Sequence, residues 1–335
     1  MKRKVLIFLL VGSFTLIPLG GCGGEEESAP IGMAVEFMDH AAAAYIAQDK
    51  GWFEEEGLDL SAYESYVTGM ALASALARGD IQVAYMCLVP AINAYANARV
   101  PIKIIAGTHR YGYGLVVNPD RIEAVEDLEK PEVRIGCVRE GGAVDVLLQR
   151  TIDKYGLDRD KILRRVQRMN PPKQMLAIQT GQLDAAFLPE QWATMAEDLG
   201  FSMLLTSQDV WPEMQGSVLV VKEELIEEHP EIVNRLVRVS QRATDWINQH
   251  PDEAAVIMAR QLSVTGQRVL PAGAADIASG FEITPEILRC SMGRLEYTTA
   301  IDPDTVQGVI EYMVELGYIR SGLEAEDILD LRFLK

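Results

Sequence analysis

Short apolar runs alternate with segments whose apolar residues recur at helical spacing through most of the chain. The runs at 32–36, 58–62, 81–85, 102–107, 114–118, 133–138, 183–188, 202–205 and 217–221 predict strands. The segments at 40–56, 68–78, 89–98, 143–155, 173–180 and 190–199 predict helices between them. Strands separated by helices of this length imply βαβ units and parallel sheets, an α/β fold. From Glu223 onward the pattern is almost wholly helical: Ile232, Val233, Leu236, Val237, Ala243, Trp246 and Ile247 form one stripe. Val306, Val309, Ile310, Met313 and Val314 form another behind Pro303, with Gly317 placed to end that helix. Pro230 and Pro251, each after a histidine, read as first residues of new helices.

The start of the chain reads differently. Lys2, Arg3 and Lys4 precede an apolar stretch at 5–19, and Leu19-Gly20-Gly21-Cys22 follows. A cationic start, a short apolar run and small residues at a cut define an export signal over 1–21. The run is too short for the ~20 residues that a permanent membrane helix needs. Leucine, two small residues and cysteine resemble the lipobox of bacterial lipoproteins, in which Cys22 would be acylated. The Gly- and Glu-rich segment 22–30 then reads as a tether. Beyond Cys22 the cysteines are Cys87, Cys137 and Cys290, an odd number that leaves at least one thiol free. Cys137 lies in an apolar run and is expected as a buried thiol.

Composition narrows the function classes. With 335 residues, 48% hydrophobic and 24% charged, the chain has room for two domains with proper cores. A net charge of −18 excludes the basic face of a nucleic-acid binder. No Gly-x-Ser-x-Gly elbow, phosphate loop, His-Glu-x-x-His or Cys-x-x-Cys occurs, so no catalytic motif, metal centre or cofactor is expected.

Three segments carry a resemblance. Gly51-Trp52-Phe53 leads through Glu56-Gly57-Leu58 into a strand; Ala75-Leu76 leads through Gly79-Asp80 to Ala84; Gly181-Gln182-Leu183-Asp184 leads to Ala185-Ala186. In this order, with the strand at 218–221 and the helix after Pro230, they resemble the nitrate/sulfonate/taurine substrate-binding proteins of ABC importers, a group that includes binders of thiamine-pyrimidine precursors. The likeness extends over about 31–260. Taken as physics alone, Gly57, Gly79 and Gly181 are helix-terminating positions, and Asp80 and Asp184 sit at turns into strands. They read as scaffold.

The resemblance implies a two-lobed periplasmic-binding-protein fold of type II, with two crossover strands and a C-terminal helical cap. Lobe 1 would comprise 31–112 plus 213–335 and lobe 2 would comprise 113–212, with Gly112-Tyr113-Gly114 and Gln215-Gly216-Ser217 as hinges. Two independent sequential domains divided near the same positions are the alternative. In such sheets ligands bind beyond the carboxyl ends of strands. That rule selects Phe37, Asp39 and His40 after the first strand, Tyr85 and Cys87 at the third, and His109 and Tyr111 at the first crossover. In lobe 2 it selects Arg139, Gly141, Gly142 and Ala143, then Glu190 and Trp192. Two glycines at a strand-to-helix turn present backbone N–H groups to an anion. Family members commonly add Ser or Thr there; this chain has Ala143, which leaves Arg139 to supply charge.

The function expected is that of an extracytoplasmic solute-binding protein. It would close on a small organic anion or zwitterion and deliver it to ABC permease subunits, as a monomer held to a membrane by its lipid anchor. A pyrimidine or other aromatic heterocycle, or a partnership with a membrane receptor, are the alternatives.

Overall fold

The computed structural model describes residues 30–270 and 282–334, so the export signal, Cys22 and most of the tether lie outside the described residues. Two sheets organise the chain. The strands are β1 Ile31–Glu36, β2 Leu60–Tyr66, β3 Val83–Cys87, β4 Ile102–Tyr111, β5 Tyr113–Val117, β6 Ile135–Cys137, β7 Val166–Arg168, β8 Ala185–Pro189, β9 Ser202–Thr206, β10 Gln215–Lys222 and β11 Leu295–Tyr297. Six of them form one sheet in the order β11-β4-β10-β3-β1-β2, and five form the other in the order β7-β6-β8-β5-β9.

The helices in chain order are α1 Ala42–Asp49, α2 Trp52–Glu55, α3 Gly69–Arg78, α4 Leu88–Ala96, α5 Ala143–Tyr155, α6 Arg159–Leu163, α7 Pro171–Gln179 and α8 Glu190–Asp198. They continue with α9 Ser207–Val210, α10 Glu223–Glu228, α11 Pro230–Gln249, α12 Pro251–Val269, α13 Pro285–Met292, α14 Pro303–Glu315 and α15 Ala325–Ile328. Both faces of the six-stranded sheet are covered. Met33 and Val35 pack with α1, α11 and α12, while Ala34 between them faces α3 and α4. Among the described residues no helix is long and apolar enough to cross a membrane.

The expectation of parallel sheets needs correcting at three strands: the edge strand β11, which runs antiparallel to β4, and the two crossover strands. β1 is parallel to β2 and β3, and β6 is parallel to β7 and β8. β10, however, runs antiparallel to β3 and β4, and β5 runs antiparallel to β8 and β9. Both are the strands that bring the chain across from the other sheet. Each enters at the end where its parallel neighbours finish, so it must run against them. The helix expected over 40–56 is also interrupted, because Gly51 takes a left-handed φ of +71° between α1 and α2.

Candidate ligand cleft

Since the chain crosses between sheets at the carboxyl ends of their strands, those ends face each other. A cavity of about 280 Å³ lies between them. One wall comes from the end of β1 (Glu36, Met38), the turn into α3 (Thr68, Gly69) and the β3–α4 junction (Cys87, Pro90). The facing wall carries Tyr113 of β5, Arg139, Gly142 and Ala143 at the start of α5, and Pro171 and Pro189 at the starts of α7 and α8. Larger hollows, near 540 and 580 Å³, lie elsewhere on single faces around Gln48–Leu60 and Ile226–Phe333. Only the smaller cavity is bounded by both sheets among the described pockets.

Local sequence explains this wall. Each βα unit ends its strand at the cleft and starts a helix there, so the N-termini of α3, α4, α5, α7 and α8 converge. Thr68 caps α3 by accepting from the Ala71 N–H at 3.3 Å, and Asn170 caps α7 from Lys173 at 3.1 Å. The N-caps of α4, α5 and α8 are Cys87, Gly142 and Pro189, and none supplies a side-chain cap. First-turn N–H groups there lack that partner, and the aligned peptide dipoles favour an anion. Arg139 is exposed at the mouth and makes no salt bridge or side-chain hydrogen bond among the described residues.

The floor has the opposite chemistry. Glu36 is fully buried, its Oε2 accepts from the Cys87 thiol at 3.0 Å, and its Oε1 has no partner. Burial pushes its carboxyl up to about 7. Gly69 is required above it, since a Cβ there would stand 2.3 Å from Glu36 Oε1 and 2.7 Å from Pro90 Cγ. Across the cleft Asn93 Nδ2 donates to the Gly141 carbonyl at 2.8 Å, so the two walls are joined beside the cavity.

Of the residues selected from sequence, Cys87, Arg139, Gly142 and Ala143 line this cavity. Gly141 stands just behind, with φ +77° and its N–H donated to Asp145 at 3.0 Å. Tyr85 points into the core of its lobe and hydrogen-bonds Ser240 at 2.6 Å. Phe37 and Trp192 pack on each other at 6.2 Å, both buried. Asp39, His40, His109 and Glu190 meet in a buried seam between the sheets, which adjoins the cavity floor where His40 Nδ1 lies 3.8 Å from Cys87 Sγ and runs beside the crossover where Tyr111 holds a left-handed φ of +66°. There the His40 and His109 rings lie 4.3 Å apart, tilted at 49°, and Glu190 pairs with Arg294 at 3.0 Å. Burial pushes Asp39 up to about 7 and His109 down to about 3, and drives His40 well down. Met38, from the same strand end as Phe37, and the aromatic candidate Tyr113 also line the cavity, whereas Glu36, Thr68 and Gly69 are not among the residues that the sequence selects. Glu36 closes β1 and could have been found by applying the strand-end rule one residue earlier. The turn into α3 carries a Thr-Gly cap signal that was open to the same rule.

Residues 24–263 match the NMT1-like family. The chain belongs to it. A presumed binding protein of Brucella abortus is 25% identical over 334 residues, covering 98% of this chain and 97% of that one. The taurine-binding periplasmic protein of Escherichia coli is 24% identical over 68% of this chain and 69% of its own. Among solved structures, the alkanesulfonate-binding protein of Xanthomonas axonopodis bound to MOPS superposes with a TM-score of 0.74 at 14% identity, covering 91% of this chain and 99% of that one. The nitrate-binding protein of Synechocystis does so at 0.70 and 13% identity over 92% and 87%. The fold is that of the periplasmic binding proteins, and these relatives are named as binding proteins rather than enzymes.

Proposed function

We propose that this protein is the extracytoplasmic solute-binding component of an ABC importer, and that it holds a small organic anion, zwitterions included, without altering it. The observation that carries this reading is the convergence of five helix N-termini on one cavity between two sheets. Each such terminus favours a negative group by roughly 0.3–1 kcal/mol, more where it is shielded from water. At about 280 Å³ the cavity sits just below the ~300–1,000 Å³ of drug-sized sites, so the cargo is small. The acid floor at Glu36 suits a zwitterion whose amine reaches past the anionic end.

The two lobes are 31–112 plus 213–335 and 113–212, the chain crossing near Gly112 and again before Gln215. Closure brings both walls onto the ligand, which is why binding shifts the open–closed equilibrium. Export through 1–21, acylation at Cys22 and delivery to permease subunits complete the reading, with the protein acting as a monomer on its lipid leash. The test is calorimetry with taurine, short alkanesulfonates, nitrate and aromatic carboxylates, on wild type and Arg139→Ala. One of these anions should bind. Arg139→Ala should weaken it by at least ~10-fold, as expected for a lost charge-assisted hydrogen bond, with an unchanged unfolding midpoint. Absence of binding by the whole panel defeats the proposal.

A further inference from the structure

Three potential metal donors meet at the floor of the cleft: a Glu36 carboxylate oxygen, His40 Nδ1 and Cys87 Sγ all lie within 4.8 Å of one another. The thiol sulfur is 3.0 Å from Glu36 Oε2 and 3.8 Å from His40 Nδ1. Tetrahedral zinc with Zn–S near ~2.3 Å and Zn–N or Zn–O near ~2.0–2.1 Å sets its donors roughly 3.3–3.6 Å apart. The two sulfur separations are within about half an ångström of that spacing, and the Glu36 oxygen and His40 Nδ1 lie within 4.8 Å of each other.

The surroundings orient the donors as a metal site requires. His40 Nε2 lies 2.7 Å from the Gly112 carbonyl, which can only accept. The ring hydrogen is therefore on Nε2, and the Nδ1 lone pair is directed at the thiol. Histidine ligands of metals are held in this way by a carbonyl behind the ring. Glu36 Oε1 is buried with no partner, which is costly unless something occupies the space beside it. All three side chains are buried.

We propose that Glu36, His40 and Cys87 bind a zinc ion at the floor of the cleft, with its fourth coordination position open to the cavity. Carboxylate, imidazole and thiolate are the donor set zinc favours, and three protein ligands with one open position is the arrangement of zinc sites that take an outside ligand. Carboxylate and thiolate together neutralise the ion, so the loaded site carries no uncompensated charge. Glu36 and Cys87 both line the cavity. The open position therefore faces the helix N-termini, and the ion turns an acidic floor into an acceptor for an anionic ligand. This role for the ion rests on the cleft being the binding site; the site itself does not.

The test uses the full chain carrying Cys290→Ser, which removes the one exposed thiol among the described cysteines. Chelator-stripped protein is titrated with cobalt(II), read by the thiolate-to-metal charge-transfer band in the near ultraviolet, and with zinc against a chromophoric chelator. About one equivalent should bind with that band. Cys87→Ser should abolish the band, and Glu36→Gln should weaken zinc by at least ~10-fold with the circular dichroism unchanged. A missing band in the otherwise unaltered Cys290→Ser protein, or a band that survives Cys87→Ser, overturns the site. Anion binding is measured separately on stripped and zinc-loaded protein. Anion binding without zinc uptake removes the metal site and leaves the cleft reading; zinc uptake without anion binding does the reverse.

Discussion

Removing the guanidinium of Arg294 should cost about 2–3 kcal/mol at neutral pH, and the loss should depend on pH in a defined direction. Arg294 lies between α13 and β11, in the body that carries the six-stranded sheet, and reaches across to α8. Its Nη1 donates to Glu190 Oε1 at 3.0 Å, Thr194 Oγ1 at 3.2 Å and Glu197 Oε2 at 2.7 Å. The Glu190 side chain is 2% exposed, whereas Arg294 and Glu197 are 29% and 28% exposed. Breaking a buried pair by deleting one partner costs about 3–5 kcal/mol because the other charge is stranded. Here the figure is lower, since part of the network reaches water and Glu190 can take up a proton. Burial already pushes its carboxyl above the ordinary value, against the pull of Arg294.

Arg294→Met removes that pull, so Glu190 in the folded variant rises further above its unfolded value. A carboxyl so raised binds its proton more tightly when folded. Its contribution is present below the unfolded value near ~4.3 and is lost as pH rises. The deficit of Arg294→Met relative to wild type should therefore grow between pH 5 and pH 8. Urea unfolding followed by fluorescence at several pH values measures it, together with the double variant Arg294→Met, Glu190→Gln. The double variant should recover most of the loss at pH 8. A deficit below ~1 kcal/mol at pH 8, one independent of pH, or no recovery from Glu190→Gln would refute the reasoning.

Two further consequences follow from buried groups. Asp184 is 1% exposed and accepts from Arg134 Nε and Nη2, both at 2.8 Å, and from the Arg134 backbone N–H at 2.9 Å. Burial raises its carboxyl, but the Arg134 bonds outweigh that and hold it below the usual 3.8. Asp184→Asn should lose about 2–4 kcal/mol at pH 7. The gap should narrow only as pH falls below 3.8 toward the folded value, and denaturant midpoints from pH 2 to 7 decide the matter. At the cleft, Gly69→Ala places a methyl 2.3 Å from Glu36 Oε1 and 2.7 Å from Pro90 Cγ. Overpacking of that kind costs about 1–3 kcal/mol and should lower affinity for the anion found by calorimetry. Unchanged stability and affinity together would mean that this wall yields freely.

The fold was legible where a sequence signal had one physical cause. β1 and α5 coincide with their expected extents to within a residue, because both faces of the strand are apolar and Gly142 and Gly156 bracket the helix. Four short elements escaped notice, among them the single turn α9. β7 and β11 have three residues each, too few for a periodicity, and β7 is half exposed. α6 is a single polar turn whose start is marked only by the Asp158 cap. Orientation of the crossover strands was hidden for a different reason: direction within a sheet depends on which end the chain enters, and no local pattern encodes that.

The candidate site was legible in part, again for a specific reason. Strand ends locate a cleft but do not say which side chain at each end faces it, because alternation sends neighbours to opposite sides. Selecting Phe37 rather than Glu36 is an error of one position that exchanges a core aromatic for a buried acid. The aromatic candidates followed the same path: Tyr85, Phe37 and Trp192 are all in packed contacts. Tyr113, a hinge residue and aromatic candidate by sequence, does line the cavity.

The bridges between the two bodies divide into two kinds, and the division bears on how binding could work. Arg294 with Glu190, the Tyr318 hydroxyl with Asp145 and the Tyr312 hydroxyl with Asp153 all join the halves through side chains that do not line the cavity. They exist whatever the cavity holds, so they set the baseline balance between closed and open. Asn93 with Gly141, and the facing helix N-termini, belong to the cavity wall itself. A ligand moves the equilibrium only by the difference in its affinity for the two states. Its leverage therefore comes from the second kind alone. The remote bridges must leave the closed form close to balance, since a baseline already closed by several kcal/mol would leave the ligand nothing to shift.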